Sequence, residues 1–325
     1  METGKKVVIL LEAFLALMVL AALLLMLQGK NGQDLVKVSV IVQNSDDAQW
    51  AAFKYGLKMA AEDQGIEVFI ANTGGSTLTV EEEKNLIEWE IDNGADAVIV
   101  QPVPETGAEE MLKKFEKRVP VMLVGSTASK DRTLTKLPVT EPDNYAMGTV
   151  LAEELLADYN GKVDGKTIGI FSETNDSEAA NNREKGFRDR LADTQAEITW
   201  TVSGHSGEAK ENSLAAQPEV NFVVALDDDS LTAAGEESAA NNLHGAVVYG
   251  IGRSTEAVYY LDTDHVKCLV VPDEFNVGYQ SLTKTAESLK RHFHKVQGET
   301  VSHKVLRRET LFSKENQEII FTMSQ

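Results

Sequence analysis

The stretch from Val36 to Ala71 constrains the fold more than any other part of the chain. It begins with a strand-length run of mostly β-branched residues, Val36 to Val42, and a polar turn follows. Ala48 to Gln64 then keeps the apolar spacing of a helix, which Gly65 ends before a second apolar run. Two strands joined through a helix predict a parallel sheet, and ligands of such sheets bind at the carboxyl ends of the strands. The turn from Gln43 to Trp50 is therefore predicted to form the first wall of a site.

The alternation of strand and helix patterns continues along the chain without a short repeat or a low-complexity run. Four predicted strands with three helices between them end at Val124, and residues 125–139 lack periodicity. A second series of alternating helices and strands runs from Asn144 to Leu306, and it includes a helix predicted over residues 207–217 and a final strand predicted over residues 301–306. This alternation of strands and helices predicts an α/β fold of doubly wound parallel sheets. A length of 325 residues suffices for two domains.

Charge and cysteine content exclude two classes of protein. The formal net charge of −20 argues against a nucleic-acid partner, because binding to a phosphate backbone depends on clustered Lys and Arg. A single cysteine, Cys268, excludes an internal disulfide and is interpreted as a small apolar residue of a buried strand. His292, His294 and His303 invite a metal site, but such a pair late in an amphipathic helix is typical of solvated surface. No metal and no cofactor are predicted.

Val7 to Leu27 predicts a single transmembrane helix at the N-terminus. The stretch has 21 residues, of which 14 are Leu, Ile, Val or Phe and one, Glu12, is charged. These apolar residues favour insertion by about 4 to 8 kcal/mol, against about 3 kcal/mol for one acidic residue. Lys5 and Lys6 precede the stretch, which predicts a cytoplasmic N-terminus and an extracytoplasmic main part. The alternative is a cleaved signal peptide, but Met26 to Gly29 lacks the small residues of a cleavage site.

Several short motifs follow one another over about residues 36 to 312. They are Phe53-Lys54-Tyr55-Gly56 after Trp50, Asn93-Gly94-Ala95-Asp96-Ala97-Val98-Ile99-Val100-Gln101-Pro102, Val119-Pro120-Val121, Asp143-Asn144-Tyr145-Ala146-Met147-Gly148 and Arg183-Glu184-Lys185-Gly186-Phe187. In this order they resemble the type I periplasmic binding proteins, in the branch of ribose- and galactose-binding proteins that shares its fold with lac-repressor-type regulators.

The resemblance implies two lobes joined by three hinge crossings, with the ligand held in the cleft between them. The crossings are expected near Pro138, Pro272 and Val305. The predicted domains are then residues 1–35 as membrane anchor and tether, residues 36–139 plus 273–305 as the first lobe, and residues 140–272 plus 306–325 as the second lobe.

The resemblance also places candidate ligand-binding residues. Asp47 and Trp50 fall where the family has a polar contact and an aromatic face that stacks on the ligand, and Gln49 lies in the same turn. Packing of Trp50 against its own helix is the alternative. Asp227 follows a predicted strand where the family has a ligand-contacting Asn or Asp, and capping of the next helix is the alternative there.

Four positions depart from the sugar-binding pattern of the family. Gly125-Ser126 replaces an Asp-Arg pair, Asn181 an arginine, Gly252 an aspartate and Pro272 a polar amide. Each lost hydrogen bond to a charged group is worth about 1.5 to 3 kcal/mol, so the same sugar held in the same way is not expected.

Carboxylates dominate the predicted mouth of the site. They are Asp46, Asp47, Glu141, Asp143, Glu173 and Asp227. Arg253 is the cation expected to face them, whereas Arg183 is expected to brace its own helix. We therefore expect a small, polar ligand that is neutral or cationic and binds through residues such as Asp47, Gln49, Trp50, Asn181, Asp227 and Arg253.

The function implied by the resemblance is that of an extracytoplasmic solute-binding protein which closes on a small, sugar-like ligand. The closed form would deliver the ligand to an ABC permease or signal to a membrane sensor such as a histidine kinase. An enzyme on the same fold is the alternative, but no nucleophile motif or cofactor loop identifies one. A DNA-binding repressor would need a basic helix-turn-helix in place of the predicted membrane segment.

Overall fold

The computed structural model describes Met18 and residues 35–75, 77–105, 107–125, 137–172, 177–203, 214–290 and 295–323. By its contacts the chain divides into a unit of Met1–Val36 and a main unit of Lys37–Gln325, which holds both sheets. Among the described residues, no helix combines the length and the apolar character needed to cross a membrane. The predicted membrane segment from Val7 to Leu27 lies outside them, apart from Met18, and stays a prediction.

The strands of the main unit form two separate sheets. In chain order they are β1 (Lys37–Ile41), β2 (Glu67–Ile70), β3 (Ala97–Val100), β4 (Val121–Val124), β5 (Val139–Pro142), β6 (Thr167–Ser172), β7 (Glu197–Ser203), β8 (Phe222–Ala225), β9 (Val247–Ile251), β10 (Cys268–Pro272), β11 (Thr300–Val301) and β12 (His303–Leu306). The first sheet has the order β11-β5-β4-β3-β1-β2 and is parallel throughout. The second has the order β12-β10-β9-β8-β6-β7, and β12 is its antiparallel strand among the described residues. Each sheet is the centre of one lobe, as predicted.

Helices connect the strands and cover the sheets. They are α1 (Ala51–Gln64), α2 (Val80–Asp92), α3 (Ala108–Phe115), α4 (Asn144–Asp158), α5 (Glu178–Leu191), α6 (Asp228–Ala239), α7 (Thr255–Asp262), α8 (Glu274–Lys290) and α9 (Lys314–Met323). Side-chain oxygens cap several of the helix starts, because the first N–H groups of a helix have no partner within it. The capping residues are Thr79, Asp143, Ser177, Asp227 and Ser254.

The core of the second lobe shows why both faces of its sheet need helices. Successive residues of β8 point to opposite faces, so Phe222 and Val224 pack with one set of helices and Val223 and Ala225 with the other. One set is α4 and α5, and the other is α6 and α7. A strand buried on both faces reads as a continuous apolar run, which is what the sequence predicts for a parallel sheet.

Glycines let two pairs of helices touch backbone to backbone. On α1 and α8, a Cβ atom added at Gly56 or Gly278 would collide with the carbonyl oxygen of Phe275 or Phe53. On α4 and α5, a Cβ atom added at Gly148 or Gly186 would likewise collide with the backbone of the opposite helix. Each lobe therefore has one helix pair whose close approach only glycine permits.

The strand pairing shifts two of the three predicted crossings by a few residues. The first crossing follows Pro142 rather than Pro138, because the Pro138 carbonyl already accepts a hydrogen bond from Leu123 N at 2.8 Å. The third lies between Val301 and His303 rather than near Val305, because these neighbouring residues pair in different sheets. The second follows Pro272, the last residue of β10.

Two elements were absent from the sequence-based prediction, and two predicted elements differ. Strand β5 begins at the end of the stretch without periodicity, residues 125–139, and precedes the second series that begins at Asn144, and helix α9 was not predicted. The single strand predicted over residues 301–306 is divided between the two sheets. Of the helix predicted over residues 207–217, the described part holds a short 3-10 turn, Leu214–Ala216.

Helix α2 carries two fully buried carboxyl groups, Glu83 and Glu90, which face the first sheet. Glu90 Oε2 accepts a hydrogen bond from Ser39 Oγ on β1 at 2.6 Å. Glu83 Oε1 accepts one from Val103 N at 3.1 Å, but Oε2 has no partner among the described residues. Burial raises the pKa of Glu83 to about 8, so this carboxyl group is largely protonated at neutral pH.

Glu83 should make the stability of the fold depend on pH. Its pKa rises from an ordinary 4.5 in the unfolded chain to about 8 in the fold, so the folded state holds a proton that the unfolded state loses. Its contribution is complete below pH 4.5 and disappears as the pH rises through 8. We expect the free energy of unfolding, measured by urea denaturation from pH 5 to 9, to lose about 4 kcal/mol through this group.

Glu83→Gln, which is neutral at every pH, should remove that loss. The matched control is Glu81→Gln on the exposed first turn of the same helix, which should keep the slope of the unmodified chain. Equal slopes in the two variants would show that Glu83 is ionised in the folded protein.

Candidate functional site

A cavity of about 410 Å³ lies where strands of the two sheets end. The first lobe contributes Asp47, Ala48 and Gln49, which follow β1. The second lobe contributes Arg183 and the residues that follow β8 and β9, and Pro272 at the second crossing completes the wall. The lining residues at the end of β9 and in the loops after β8 and β9 are Asp227, Asp228, Asp229, Ile251, Gly252, Arg253, Ser254, Thr255 and Glu256. The interlobe cavity thus occupies the position predicted from the parallel strand order.

The first-lobe wall is a 3-10 turn, Ala48–Trp50, that leads into α1. Asp47 caps this turn, and its Oδ1 accepts a hydrogen bond from Gln49 N at 2.9 Å. Asp47, Ala48 and Gln49 are all exposed, so their side chains are accessible from the cavity. Two of the predicted ligand-binding residues, Asp47 and Gln49, therefore lie in the cavity wall.

Trp50 is placed differently from the expectation that its ring stacks on the ligand. Its side chain is only 6% exposed, and it is not among the described residues that line the cavity. Nε1 donates a hydrogen bond to the Gln43 carbonyl at 2.9 Å, and the ring packs edge-on against Phe53. Because these contacts fix both the polar and the apolar part of the indole, Trp50 packs the start of α1, and we leave it out of the proposed pocket.

Asp227 combines the two roles that the sequence left open. Its carboxylate caps α6, with Oδ1 accepting from Ser230 N at 2.9 Å, and Oδ2 accepts from Ser172 Oγ at 2.9 Å. The residue also lines the cavity. Capping therefore uses much of its hydrogen-bonding capacity while its negative charge stays at the cavity wall.

Asp228, which the sequence analysis did not single out, organises the loop after β9. Its Oδ1 accepts hydrogen bonds from Arg253 N at 2.6 Å and from Ser254 N at 2.9 Å. A Cβ atom added at Gly252 would lie 2.7 Å from this oxygen. The glycine that replaces the family's aspartate thus makes room for the carboxylate of Asp228. In the sequence, the run of three aspartates after β8 was the feature that could have identified Asp228.

Arg253 reaches from the second lobe to two residues of the first. Its Nη1 donates to Glu274 Oε1 at 2.6 Å, and its Nη2 donates to Gln49 Oε1 at 2.7 Å. The side chain of Arg253 is 28% exposed and that of Glu274 is 12% exposed, so water screens the ion pair only in part. A second, small cavity of about 50 Å³ is lined by Arg253, Glu274 and Ile319 among others. Arg253 is therefore part of the wall between the two cavities.

Arg183 braces α5, as predicted, and also lines the interlobe cavity. It donates from Nε to Asn144 Oδ1 and from Nη1 to the Leu226 carbonyl, both at 2.8 Å. Burial lowers the pKa of Arg183 to about 10, with attraction to Asp227 acting in the opposite direction, so the group stays charged at neutral pH. Asn181 lies exposed on the same helix and is not among the described lining residues.

The remaining predicted carboxylates are spread around the site. Asp46 is exposed, Glu141 is buried in β5, and Asp143 caps α4 by accepting from Ala146 N. Glu173 lies outside the described residues, as do His292 and His294. In the part of the chain that the structure describes, no group of three or more His, Cys, Asp or Glu residues is placed to hold a metal ion.

Solved structures and relatives agree with this architecture. A carbohydrate-transporter solute-binding protein from Agrobacterium radiobacter, in complex with D-arabinose, superimposes with a TM-score of 0.71 at 19% identity, covering 88% of this chain and 98% of that one. An ABC-transporter solute-binding protein from Bacillus halodurans with bound myo-inositol gives a TM-score of 0.72 at 16% identity, covering 89% and 99%. At these identities the likeness shows the fold.

Sequence comparison gives a relative and a family. The galactofuranose-binding protein YtfQ of Escherichia coli K12 is 28% identical over 152 residues, and the match spans 46% of this chain and 46% of that protein. The profile of the periplasmic binding protein domain matches residues 38–291, which include most of both lobes. With this match over most of its length, the chain belongs to the periplasmic binding protein domain family.

Proposed function

We propose that this protein binds a small, neutral, sugar-like solute on the extracytoplasmic side of a membrane and closes its two lobes around it. The observation that carries the proposal is the cavity at the carboxyl ends of the strands, whose walls come from both lobes. A ligand that contacts Asp47 and Gln49 on one side and the loops after β8 and β9 on the other would favour the closed arrangement.

The chemistry of the wall supports a ligand rich in hydroxyl groups. Among the described lining residues, five carboxylates face two arginines, and both arginines already donate hydrogen bonds within the protein. Carboxylates accept hydrogen bonds, which sugars and polyols donate from every hydroxyl group. The names of the relatives, which bind galactofuranose, D-arabinose and myo-inositol, support the same ligand class.

The membrane protein to which the ligand would be delivered is proposed from the names of the same relatives. The Bacillus halodurans protein is named an ABC-transporter solute-binding protein and the Agrobacterium radiobacter protein a carbohydrate-transporter solute-binding protein, which supports delivery of the solute to an ABC permease. An uncleaved N-terminal anchor would favour the second candidate, in which the closed form signals to a membrane sensor such as a histidine kinase. Both candidates require the same ligand-driven closure, and no residue of the cavity is proposed to act as a catalyst.

A screen by thermal shift should identify the ligand class. In the full chain, a neutral aldose or polyol at one hundred times its dissociation constant should add about 2.7 kcal/mol to the free energy of unfolding. Ala48→Trp should abolish this gain, because Ala48 is exposed in the cavity wall and an indole there would take up the volume of the ligand.

Ala239→Trp is the matched control, since Ala239 is also exposed but lies at the far end of α6 from the cavity. This variant should respond to the ligand as the unmodified chain does. The proposed function would be wrong if no aldose or polyol raised the melting temperature, or if the gain persisted in Ala48→Trp.

We also propose that residues 7–27 remain attached and anchor the protein in the membrane. The support is their length and apolar content, with Lys5 and Lys6 on the cytoplasmic side. After expression in bacteria, the protein should keep its N-terminal peptide, detected by mass spectrometry, and stay in the membrane pellet during alkaline extraction. Leu17→Arg with Leu20→Arg should release it, because two central arginines cost about 5 to 7 kcal/mol. A mature N-terminus beyond Leu27 would show a cleaved signal peptide instead.

A further inference from the structure

The two arginines of the interlobe cavity differ in how carboxylates balance their charge. Attraction to Asp227 favours the charged form of Arg183. Repulsion by the positive charge of Arg253 disfavours that form, so the two guanidinium groups interact electrostatically. Arg253 is paired directly with Glu274, with Nη1 and Oε1 2.6 Å apart. Glu274 is thus the carboxylate paired directly with Arg253, and the five carboxylates of the described cavity lining outnumber its two arginines.

Glu274 balances Arg253 from outside the cavity. Among the described residues it lines the small second cavity but not the interlobe cavity, whereas Arg253 lines both. Glu274 is the first residue of α8, directly after the second crossing, and its side chain is 12% exposed. The carboxylate thus neutralises a cation of the binding wall without occupying the volume that a ligand would fill.

We propose that Glu274 determines the charge selectivity of the site, so that the cavity accepts uncharged sugars and polyols and rejects sugar acids. The inference rests on the proposed function, because it concerns the ligand of the same cavity. With Glu274 in place, the carboxylate of a sugar acid meets an arginine that is already paired, together with the carboxylates of Asp227, Asp228 and Asp229. Without the charge of Glu274, Arg253 would lose its direct ion pair, and its guanidinium group would become a partner for the carboxylate of a sugar acid.

Glu274→Gln tests this role while keeping an acceptor oxygen for Arg253. We expect calorimetric titration of the full chain to show that the unmodified protein binds a neutral aldose, such as D-galactose or D-arabinose, more tightly than the corresponding uronic or aldonic acid. In Glu274→Gln the ratio of the two dissociation constants should shift toward the acid by about tenfold to a hundredfold, the range of one charge-assisted hydrogen bond. The shift should shrink as salt is raised, because salt screens charge.

Two further variants separate charge pairing from other effects. Glu256→Gln removes one negative charge at the exposed rim of the same cavity, where Glu256 accepts a hydrogen bond from Thr255 rather than from an arginine. Its selectivity should change by less than about threefold. In the double variant Arg253→Met with Glu274→Gln, the unpaired cation is gone, so the preference for the neutral sugar should return.

The outcomes distinguish this inference from the proposed function. If neutral sugars bind but Glu274→Gln leaves the ratio unchanged, or shifts it no more than Glu256→Gln does, then Glu274 does not determine selectivity. If the unmodified protein binds the sugar acids as tightly as the neutral sugars, Glu274 likewise does not determine selectivity. If neither class binds to the unmodified protein, the proposed function is wrong and the inference fails with it.

Discussion

Hydrogen bonding between the three crossing segments is the constraint on which the two-lobed arrangement depends. At the end of β5, Asp143 N donates to the Val301 carbonyl at 2.9 Å, which joins the first crossing to the third. Pro272 at the end of β10 stands opposite His303 at the start of β12, which joins the second crossing to the third. The crossings therefore form one connection at the same edge of both sheets.

This connection explains where the site lies and which residues compose it. Parallel strands bring their carboxyl ends to one side of each sheet, and the crossings turn those two sides toward each other. The turn after β1 meets the loops after β8 and β9 across the cavity, and Arg253 bridges them through Gln49 and Glu274. The arginine ties the cavity wall to the start of α8, just after the second crossing.

Much of the fold follows from the sequence because its determinants are local. Apolar runs of strand length predicted β1 and β3, and the family motifs contain Gly56, Gly148 and Gly186 for a reason that the structure supplies. Each of these glycines lies where two helix backbones touch, so a side chain there would force the helices apart. Strand β5 escaped prediction because its four residues follow Pro138 and a stretch without periodicity, yet β4 pairs with it on one side and β11 on the other.

The site was less predictable because its contacts join residues far apart in the sequence. The position of Trp50 suggested a stacking face, yet only the folded chain shows that its N–H group bonds to Gln43 and its ring packs on Phe53. The hydrogen bond from Arg253 to Gln49 joins residues 204 positions apart, and no local sequence pattern predicts it. The family resemblance placed Asp47 and Asp227 at the site, and Gln49 and Arg253 were expected in turns beside it. Asp228 and Glu274 act through partners that only the structure identifies.

Closure of the two lobes around a ligand is tested most directly by a distance across the edges opposite the crossings. Nitroxide labels at Gly75→Cys and Asn181→Cys place one probe on each lobe at exposed positions. The single native cysteine, Cys268, is fully buried, and burial raises the pKa of its thiol to about 12, so it should not be labelled. With a saturating neutral sugar, double electron–electron resonance should show a shorter and narrower distance distribution than without it. An unchanged distribution, in a protein shown by calorimetry to have bound the sugar, would contradict the account.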